Sequence, residues 1–421
     1  MKSQKILHYL LLATILTLPF SGVRFFILGV PICMPELMVI FASAMFVYIK
    51  WHTDTFRMQK LPRSIVASIT MIVIGLFSSS IFNGLSTVSL GIIKSWFFFP
   101  ILFAWLLFQS FHLRSSGAKN LPEKMSPLPQ YTLLIWYITL SLTSIAALSF
   151  FFQNDLTYDG RLRAFYLSPN YLALFLFPGV LLGWHFLIKY WVQRKPWLFA
   201  IALASWMMLC ATLYLTLSYT VITASLLGFF IALFLASNRS YFSRITLIAL
   251  FVSSISFFLL FQMHGQKFSD LIHFNERSSL VSRMMIWQSS IKMIADHPII
   301  GIGPGNFQTT YLDYQSYFPP YLEWAVPHPH NLYLAFWLQT GIIGLIGFIC
   351  LNIFWIHHIS SYVTHGTKKV PFAWTLLGIL IALLCIGLLD TPYWKNDLAY
   401  TFWLLIALGL YKPSLEKDIK A

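Results

Sequence analysis

Charged residues are scarce in this sequence. Only 10% of its 421 residues are Asp, Glu, Lys or Arg, whereas a soluble domain carries about 25%. A water-soluble fold of this size would lack the charges to cover its surface, so that class of protein is excluded. Cysteine is also rare, and the four cysteines lie in or beside apolar runs without the spacing of a zinc site or a disulfide framework. They are therefore predicted to be small core residues.

Long apolar runs are abundant instead. They recur along the whole chain, and each is long enough to cross about 30 Å of hydrocarbon. The runs do not alternate with period two, which favours helices over an outer-membrane barrel. The sequence predicts an all-α integral membrane protein, a single polytopic domain over 1–421, with about twelve transmembrane helices. The predicted spans are 6–22, 36–50, 64–82, 93–112, 131–152, 170–189, 197–215, 219–237, 245–262, 331–356, 371–389 and 397–411.

The distribution of basic residues predicts the orientation of these spans. If both termini lie in the cytoplasm, 19 of the 28 basic residues fall on the cytoplasmic side and ten of the 14 acidic residues fall outside. This asymmetry is the positive-inside bias of membrane proteins. The formal net charge of +14 is then a topology signal, and no nucleic-acid partner is predicted.

The loop 263–330, between spans nine and ten, is predicted to lie outside. Loops of this length are usually functional or disordered, and its aromatic content argues against disorder. Ser278 and Ser279 offer helix N-caps and Pro298 ends the segment. An apolar stripe at helical spacing predicts a helix along the membrane surface, with the stripe against lipid or the bundle; it comprises Leu280, Met284, Trp287, Ile291 and Ile294. Arg283 lies at the edge of this stripe, where it can snorkel or hold an anionic head group.

Two further segments follow in the same loop. The run Gly301-Ile-Gly-Pro-Gly-Asn306 is followed by no Lys-Ser/Thr pair and has no strand–helix context, which excludes a Walker loop. It predicts a tight turn with positive φ angles. The aromatic and proline-rich run from Tyr317 to Trp324 suits a membrane interface or a sugar-stacking surface, and the interface is the more common use.

The motif Pro327-His328-Pro329-His330-Asn331 immediately precedes span ten. A helix N-terminus disfavours positive charge, so a neutral imidazole is expected at His330, able to accept a proton from an incoming hydroxyl. The alternative is that His330 or Asn331 only caps the helix. A metal site is disfavoured, because His328 and His330 would need a third ligand and none has a recognisable spacing.

Several motifs together resemble the O-antigen ligase and polymerase superfamily. The first is Gly160-Arg-Leu-Arg-Ala-Phe165 followed by Ser168-Pro-Asn170. The others follow in the family's order and cover most of 160–345; they are Arg283-Met-Met-Ile-Trp287, Asp296-His-Pro298, the glycine run ending in Phe307, His330-Asn331-x-Tyr333-Leu334 and Gln339-Thr-Gly-Ile-Ile-Gly344. The twelve predicted spans and the long outer loop also match.

The resemblance implies a C-type membrane glycosyltransferase that inverts the sugar and needs neither a metal nor another cofactor. Such an enzyme moves O-antigen or a related glycan from undecaprenyl diphosphate to lipid A–core at the periplasmic face of the bacterial inner membrane. On this basis His330 is the predicted catalytic base, and Arg283 with Arg161 or Arg163 binds the diphosphate. His328, Asn331 and Tyr219 are predicted to support the site.

Tyr219 is a departure from the family pattern. The family has Thr-x-Ser-Arg at the outer turn between spans seven and eight, and this chain has Thr216-Leu-Ser-Tyr219. Arg161 or Arg163 then supplies the missing cation, or the chain uses a different donor, or it is not an active transferase.

Two alternative functions remain at this point. An O-antigen polymerase or a protein O-glycosyltransferase shares the motifs and differs in its acceptor. A membrane transporter belongs to a different class, and it would be expected to show an inverted repeat and ionisable residues at mid-membrane depth, neither of which the sequence has.

Overall fold

The computed structural model describes residues 2–52, 58–112, 127–236, 241–262, 269, 273, 279–317, 326–364 and 372–411. Nearly all of the regular structure in these ranges is helical, which confirms the prediction of an all-α membrane protein. The helices are α1 (Lys2–Leu16), α2 (Met34–His52), α3 (Arg63–Phe82), α4 (Thr87–Phe111), α5 (Leu128–Phe152), α6 (Pro169–Val192), α7 (Pro196–Leu215), α8 (Tyr219–Ala236), α9 (Tyr241–Gln262), α10 (Ser279–Asp296), α11 (Phe307–Tyr314), α12 (Leu332–Thr364), α13 (Ala373–Ile386) and α14 (Asn396–Gly409).

A helix lies at each predicted span. Among the described residues, seven helices are long and apolar enough to cross a membrane: α2 to α7 and the Leu332–Ser360 part of α12. Shorter apolar helices lie within α8 and α9 and make up α13. The chain is therefore a multi-pass membrane protein, and the count of twelve spans stays a prediction.

One element was not anticipated from the sequence. Strand β1 (Arg24–Ile27) pairs with β2 (Val30–Cys33) in an antiparallel hairpin between α1 and α2. Leu28 and Gly29 join the strands with φ angles of 51° and 79°. Asn-Gly and Gly-Gly are the sequences that favour a two-residue turn with two positive φ angles. This turn has leucine at its first position, so the sequence does not predict a hairpin here.

Helix packing places α14 at the centre of the bundle. Every residue from Asp397 to Gly409 is buried, including the carboxylate of Asp397. The loop 387–395, which precedes α14, therefore sits centrally at one end of the bundle. Close contacts through small residues hold neighbouring helices together; a side chain at Gly75 of α3 would strike the backbone of α12 at Thr340 and Gly344.

The predicted helix in the long loop is present as α10, and it ends two residues before Pro298. The prediction places the apolar stripe against lipid or the bundle, and most of the stripe is not buried in the bundle. Ile294 alone of the predicted stripe is buried, whereas Met284 and Ile291 are 46% and 58% exposed. A face of methionine, isoleucine and serine packs inward instead, so the predicted stripe does not lie against the bundle; the buried residues of α10 are Met285, Ile286, Ser289, Ser290, Met293 and Ile294.

The glycine run after α10 forms the predicted turn. Gly301, Gly303 and Gly305 have φ angles of 72°, 84° and 87°. The turn docks on α12 where that helix is interrupted by Gly341, since the Ile302 and Gly303 amides both donate to the Leu338 carbonyl. A side chain at Gly301 would strike that same carbonyl. The run is thus a structural anchor for the loop. Ser278 and residues 318–325, which include most of the aromatic run, lie outside the described ranges.

Candidate functional site

Polar chemistry is concentrated at the end of the bundle that carries the long loop. An apolar groove of about 400 Å³ lies elsewhere, between α3, α4 and α14. Its lining contains no titratable side chain, so it offers no group for acid–base or phosphate chemistry.

His330 is joined to a buried carboxylate that is distant in the sequence. Its Nδ1 lies 3.3 Å from Oδ1 of Asp390, in the loop between α13 and α14. The Asp390 side chain is 4% exposed and that of His330 is 30% exposed. When Nδ1–H donates to the carboxylate, Nε2 is left with a lone pair that can accept a proton. This is the arrangement of a histidine base oriented by an acid.

The backbone at His330 is held in an uncommon conformation. Its φ is 48°, in the left-handed region that residues other than glycine seldom adopt. Two contacts hold the residue there: the Asp390 hydrogen bond and a donation from Trp287 Nε1 to the His330 carbonyl at 3.4 Å. Residues held in this way cluster at functional sites.

Arg283 approaches the other oxygen of the same carboxylate. Its Nη2 lies 3.8 Å from Asp390 Oδ2, and its Nη1 donates to Ser279 at 2.8 Å. Its Nε is buried and has no hydrogen-bond partner among the described residues. Burial raises the pKa of Asp390, but the hydrogen bond from His330 and the charges of His330 and Arg283 outweigh burial, so the net pKa is below its usual value. Asp390 is therefore ionised at neutral pH.

His328 is buried beside His330. The two rings are 5.2 Å apart, and His328 Nε2 lies 3.2 Å from the hydroxyl of Tyr171, near the start of α6. Burial, with a smaller effect from the charge of His330, lowers the pKa of His328 to about 3. His328 is thus neutral at physiological pH and positions its neighbours through hydrogen bonding and packing.

Arg161 is anchored between two other elements of the site. Its Nε donates to the Thr216 carbonyl at 2.8 Å and its Nη2 donates to Asn170 Oδ1 at 2.6 Å. Burial lowers the pKa of Arg161, Asp159 opposes the effect, and the charge of Arg283 lowers it further. An arginine remains charged despite such a change. The two positive charges are thus close enough to affect each other.

Arg161 also meets the turn in which the family arginine is missing. Thr216 and Tyr219 belong to that turn, and the charge of Arg161 interacts with Tyr219. Leu162 ties the two segments together through a 3.0 Å bond from its amide to the Leu215 carbonyl. Arg163, two residues further on, is exposed, so the structure brings Arg161 to the turn and leaves Arg163 at the surface.

The structure assigns the cap of α12 to Asn331, one of the two candidates that the sequence left open. Its Oδ1 accepts from the amides of Tyr333 and Leu334, both at 3.0 Å. Asn331 therefore caps α12, as Asx side chains do at helix starts, and it is Asp390 that orients His330. The helix cap is thus Asn331, and the candidate base is the neighbouring His330.

A third potential metal ligand, which no spacing in the sequence revealed, lies beside His328 and His330. His328, His330 and Asp390 each offer a ligand atom, and these atoms lie within 4.8 Å of one another. The surroundings are nevertheless cationic, since Arg283 pairs with the same carboxylate. His328 Nε2 and His330 Nδ1 are already engaged by Tyr171 and Asp390. The charge balance favours an anionic ligand over a metal cation.

Helix N-termini add to this preference for anions. α6 begins two residues before Tyr171 and α12 begins two residues after His330, whereas α8 follows the turn that Arg161 contacts. The N-terminus of a helix carries a partial positive charge. The site therefore combines an oriented histidine with positive charge suited to phosphate oxygens.

Sequence reasoning missed Asp390 and Tyr171. A lone acid between two apolar spans was the available signal for Asp390, since ionisable residues at membrane boundaries are often functional. Tyr171 directly follows the Pro-Asn motif at the start of α6 and carried no signal of its own.

The fold and site define a multi-pass membrane protein with a histidine–carboxylate pair beside an arginine. Residues 203–349 match the family described as O-antigen ligase. This region contains Tyr219, Arg283, His328 and His330, and it excludes Arg161 and Asp390. Over this stretch the chain is similar to the O-antigen ligase family, in agreement with the resemblance that its motifs predicted.

Curated relatives agree with this assignment. A Rickettsia conorii protein whose name describes it as a polysaccharide ligase is 28% identical over 50% of this chain and 52% of its own length. A similarly named Rickettsia prowazekii protein is 26% identical over 51% of this chain and 53% of its own. The ComP-specific O-oligosaccharyltransferase of Acinetobacter baylyi is 30% identical over 28% of this chain and 24% of its own. The matches thus span about half of the two Rickettsia proteins and a quarter of the third.

Proposed function

We propose that this protein is an inverting glycosyltransferase that moves O-antigen or a related glycan from undecaprenyl diphosphate to lipid A–core. The observation that carries the proposal is the single carboxylate of Asp390. One of its oxygens orients His330 and the other approaches Arg283. A base for the acceptor and a cation for the leaving group are thereby held in one unit.

The chemistry is one direct displacement. The acceptor hydroxyl oxygen attacks the anomeric carbon of the donor sugar and gives its proton to Nε2 of His330. The bond from that carbon to the diphosphate oxygen breaks, and the diphosphate leaves with the electron pair. A single attack from the opposite face inverts the anomeric configuration.

Arg283 and Arg161 bind the diphosphate leaving group and stabilise its charge. Guanidinium forks match phosphate oxygens and stabilise charge that develops on them as the bond breaks. The buried Nε of Arg283 has no acceptor among the described residues, so a phosphate oxygen would satisfy it. Arg161 supplies the cation that Tyr219 cannot.

The location follows from the charge asymmetry of the loops. The site residues belong to the segments outside the group that holds 19 of the 28 basic residues, and the positive-inside bias favours the periplasmic side of the inner membrane for such segments. The loop 263–330 is then a periplasmic part of a single membrane domain, and both termini are cytoplasmic.

The names of the three relatives leave the acceptor as the main question. The Rickettsia relatives are named for polysaccharide ligation, which supports transfer of a polysaccharide such as O-antigen. The A. baylyi relative is named as an oligosaccharyltransferase specific for ComP, which supports a protein acceptor as the second candidate.

A deletion strain complemented with wild-type or variant protein tests the proposal. Loss of capped lipopolysaccharide with accumulation of carrier-linked polymer indicates a ligase, whereas loss of the polymer itself indicates a polymerase. Unchanged lipopolysaccharide with an unglycosylated protein indicates the protein acceptor. If none of these glycans changes, the proposal is wrong.

A further inference from the structure

Lys395 is a cation near the site that has no role in the reaction described so far. It directly precedes α14, and its Nζ lies 4.2 Å from the ring centre of Tyr166 and 4.8 Å from that of Tyr171. Two aromatic rings thus hold the ammonium by cation–π attraction. The side chain is half-buried, so the ammonium is positioned by its surroundings.

The ammonium has unused hydrogen-bonding capacity. It carries three donors, and among the described residues no acceptor lies at hydrogen-bond distance and no carboxylate within 4.0 Å. Burial lowers the pKa of Lys395, and the charge of nearby Asp397 opposes this effect. Aromatic faces attract a cation but accept no strong hydrogen bonds. Phosphate oxygens would supply the missing acceptors.

The contacts of residues 170 and 171 connect Lys395 to the proposed site. Asn170 accepts from Arg161, and Tyr171 contacts both His328 and Lys395. Arg161 and Lys395 therefore approach consecutive residues at the N-terminus of α6. Lys395 also follows Asp390 by five residues in the central loop before α14, so the cation and the carboxylate belong to one short segment.

We propose that Lys395 is a third cation of the diphosphate site, which binds the donor carrier and compensates, together with Arg161, for the tyrosine at position 219. The inference rests on the proposed function. It extends the site beyond the region 203–349 that matches the ligase family, to a residue near the C-terminal end of the chain. The same chemistry would serve a phosphate on the acceptor, and the kinetic measurement below separates the two sources.

Binding of inorganic pyrophosphate to the purified, detergent-solubilised protein tests the inference. Lys395→Met keeps the length of the side chain and removes its charge, whereas Lys395→Arg keeps the charge. We expect Lys395→Met to weaken pyrophosphate binding about 10-fold or more, as loss of a charge-assisted hydrogen bond implies, and Lys395→Arg to stay within a few-fold of wild type. Lys292→Met is the matched control, because Lys292 is an exposed lysine of α10 paired with Asp296.

The outcomes distinguish this inference from the proposed function. If the wild type and Arg283→Ala bind pyrophosphate equally poorly, the diphosphate site itself is wrong. If Arg283→Ala weakens binding and Lys395→Met behaves like Lys292→Met, only the role of Lys395 is overturned. Should Lys395→Met and Lys395→Gln both fail to give monodisperse protein while Lys395→Arg does, Lys395 is structural and the inference falls.

Steady-state kinetics identify the source of the phosphate. A donor contact predicts that Lys395→Met raises KM for the carrier-linked glycan and leaves KM for the acceptor unchanged. If only the KM for the acceptor rises, Lys395 contacts a phosphate of the acceptor, and the assignment to the donor is overturned.

Discussion

His330 and Asp390 are 60 residues apart in the chain, and their side chains meet at 3.3 Å between Nδ1 and Oδ1. The carboxylate also accepts from the Thr391 amide at 2.9 Å and lies 3.8 Å from Arg283. Each of these contacts holds the carboxylate, and the carboxylate in turn holds the imidazole. The orientation of the candidate base therefore depends on the central loop before α14.

We expect Asp390→Asn to reduce glycan transfer by about 10³- to 10⁴-fold, because an amide at this position no longer fixes the reactive tautomer of His330. Initial rates at matched protein levels measure the effect, with circular dichroism as the check on folding. Near-normal rates would show that the Asp390 contact is not part of the mechanism.

His330→Asn separates the catalytic role of His330 from helix capping. Removal of a general base costs about 10²- to 10⁴-fold in rate, so this variant should lose visible transfer and retain carrier binding. Asn331→Ala is the comparison, since it removes the observed cap and should cost about 1 kcal/mol of stability. Transfer at wild-type rates in His330→Asn would remove His330 from the mechanism.

Tyr219→Arg should partly rescue Arg161→Ala. Arg161 donates to the Thr216 carbonyl in the turn that contains Tyr219, so an arginine at position 219 restores positive charge in the same region. Arg161→Ala alone is expected to lose about 10- to 100-fold in rate, the value of a hydrogen bond to a charged group. Transfer assays of the single and double variants provide the check. The hypothesis fails if Arg161→Ala has full activity, and Arg163→Ala then becomes the next variant to compare.

The buried His328 predicts a pH dependence of stability. Its pKa falls from 6.5 to about 3 on folding, so the unfolded chain binds a proton between these values that the folded chain does not. The free energy of unfolding therefore keeps its full value above about pH 6.5. It decreases as the pH falls toward 3, by about 2 kcal/mol at pH 5. Melting temperatures of wild type should decrease more steeply below pH 6.5 than those of His328→Gln. The exposed His297 offers a control, His297→Gln, which should keep the wild-type slope; equal slopes in all three proteins would contradict the prediction.

Chelation tests whether the His328, His330 and Asp390 cluster works with a metal. We expect transfer to continue after treatment with EDTA and dialysis, because Arg283 and the helix N-termini already make this region favourable for anions. Activity that disappears and returns on addition of one divalent cation would instead establish a metal-dependent reaction.

Thiol labelling tests the orientation. A cysteine at the exposed Asp313 of α11 should react with an impermeant reagent in cells with a permeabilised outer membrane, whereas Lys119→Cys should react only after the inner membrane is broken. The reverse pattern would place the site on the cytoplasmic side.

The amino-acid sequence by itself determined the class of the protein and the positions of its helices. Apolar runs long enough to cross a bilayer are a local property of the chain, and so are the glycine turn at 301–305 and the start of α12 after Asn331. The same holds for the superfamily motifs, which singled out Arg283 and His330 as site residues.

Tertiary structure decided which side chains contact one another at the site. Asp390, Tyr171 and Lys395 come to the site from segments far from His330 in the sequence, and no spacing rule connects them. The face of α10 that packs inward was also decided by the bundle, because methionine, isoleucine and serine fit closely there while Met284 and Ile291 stay exposed. Which groups meet depends on how α6, α12 and α14 pack together, since side-chain contacts between distant segments form only when the whole bundle is assembled.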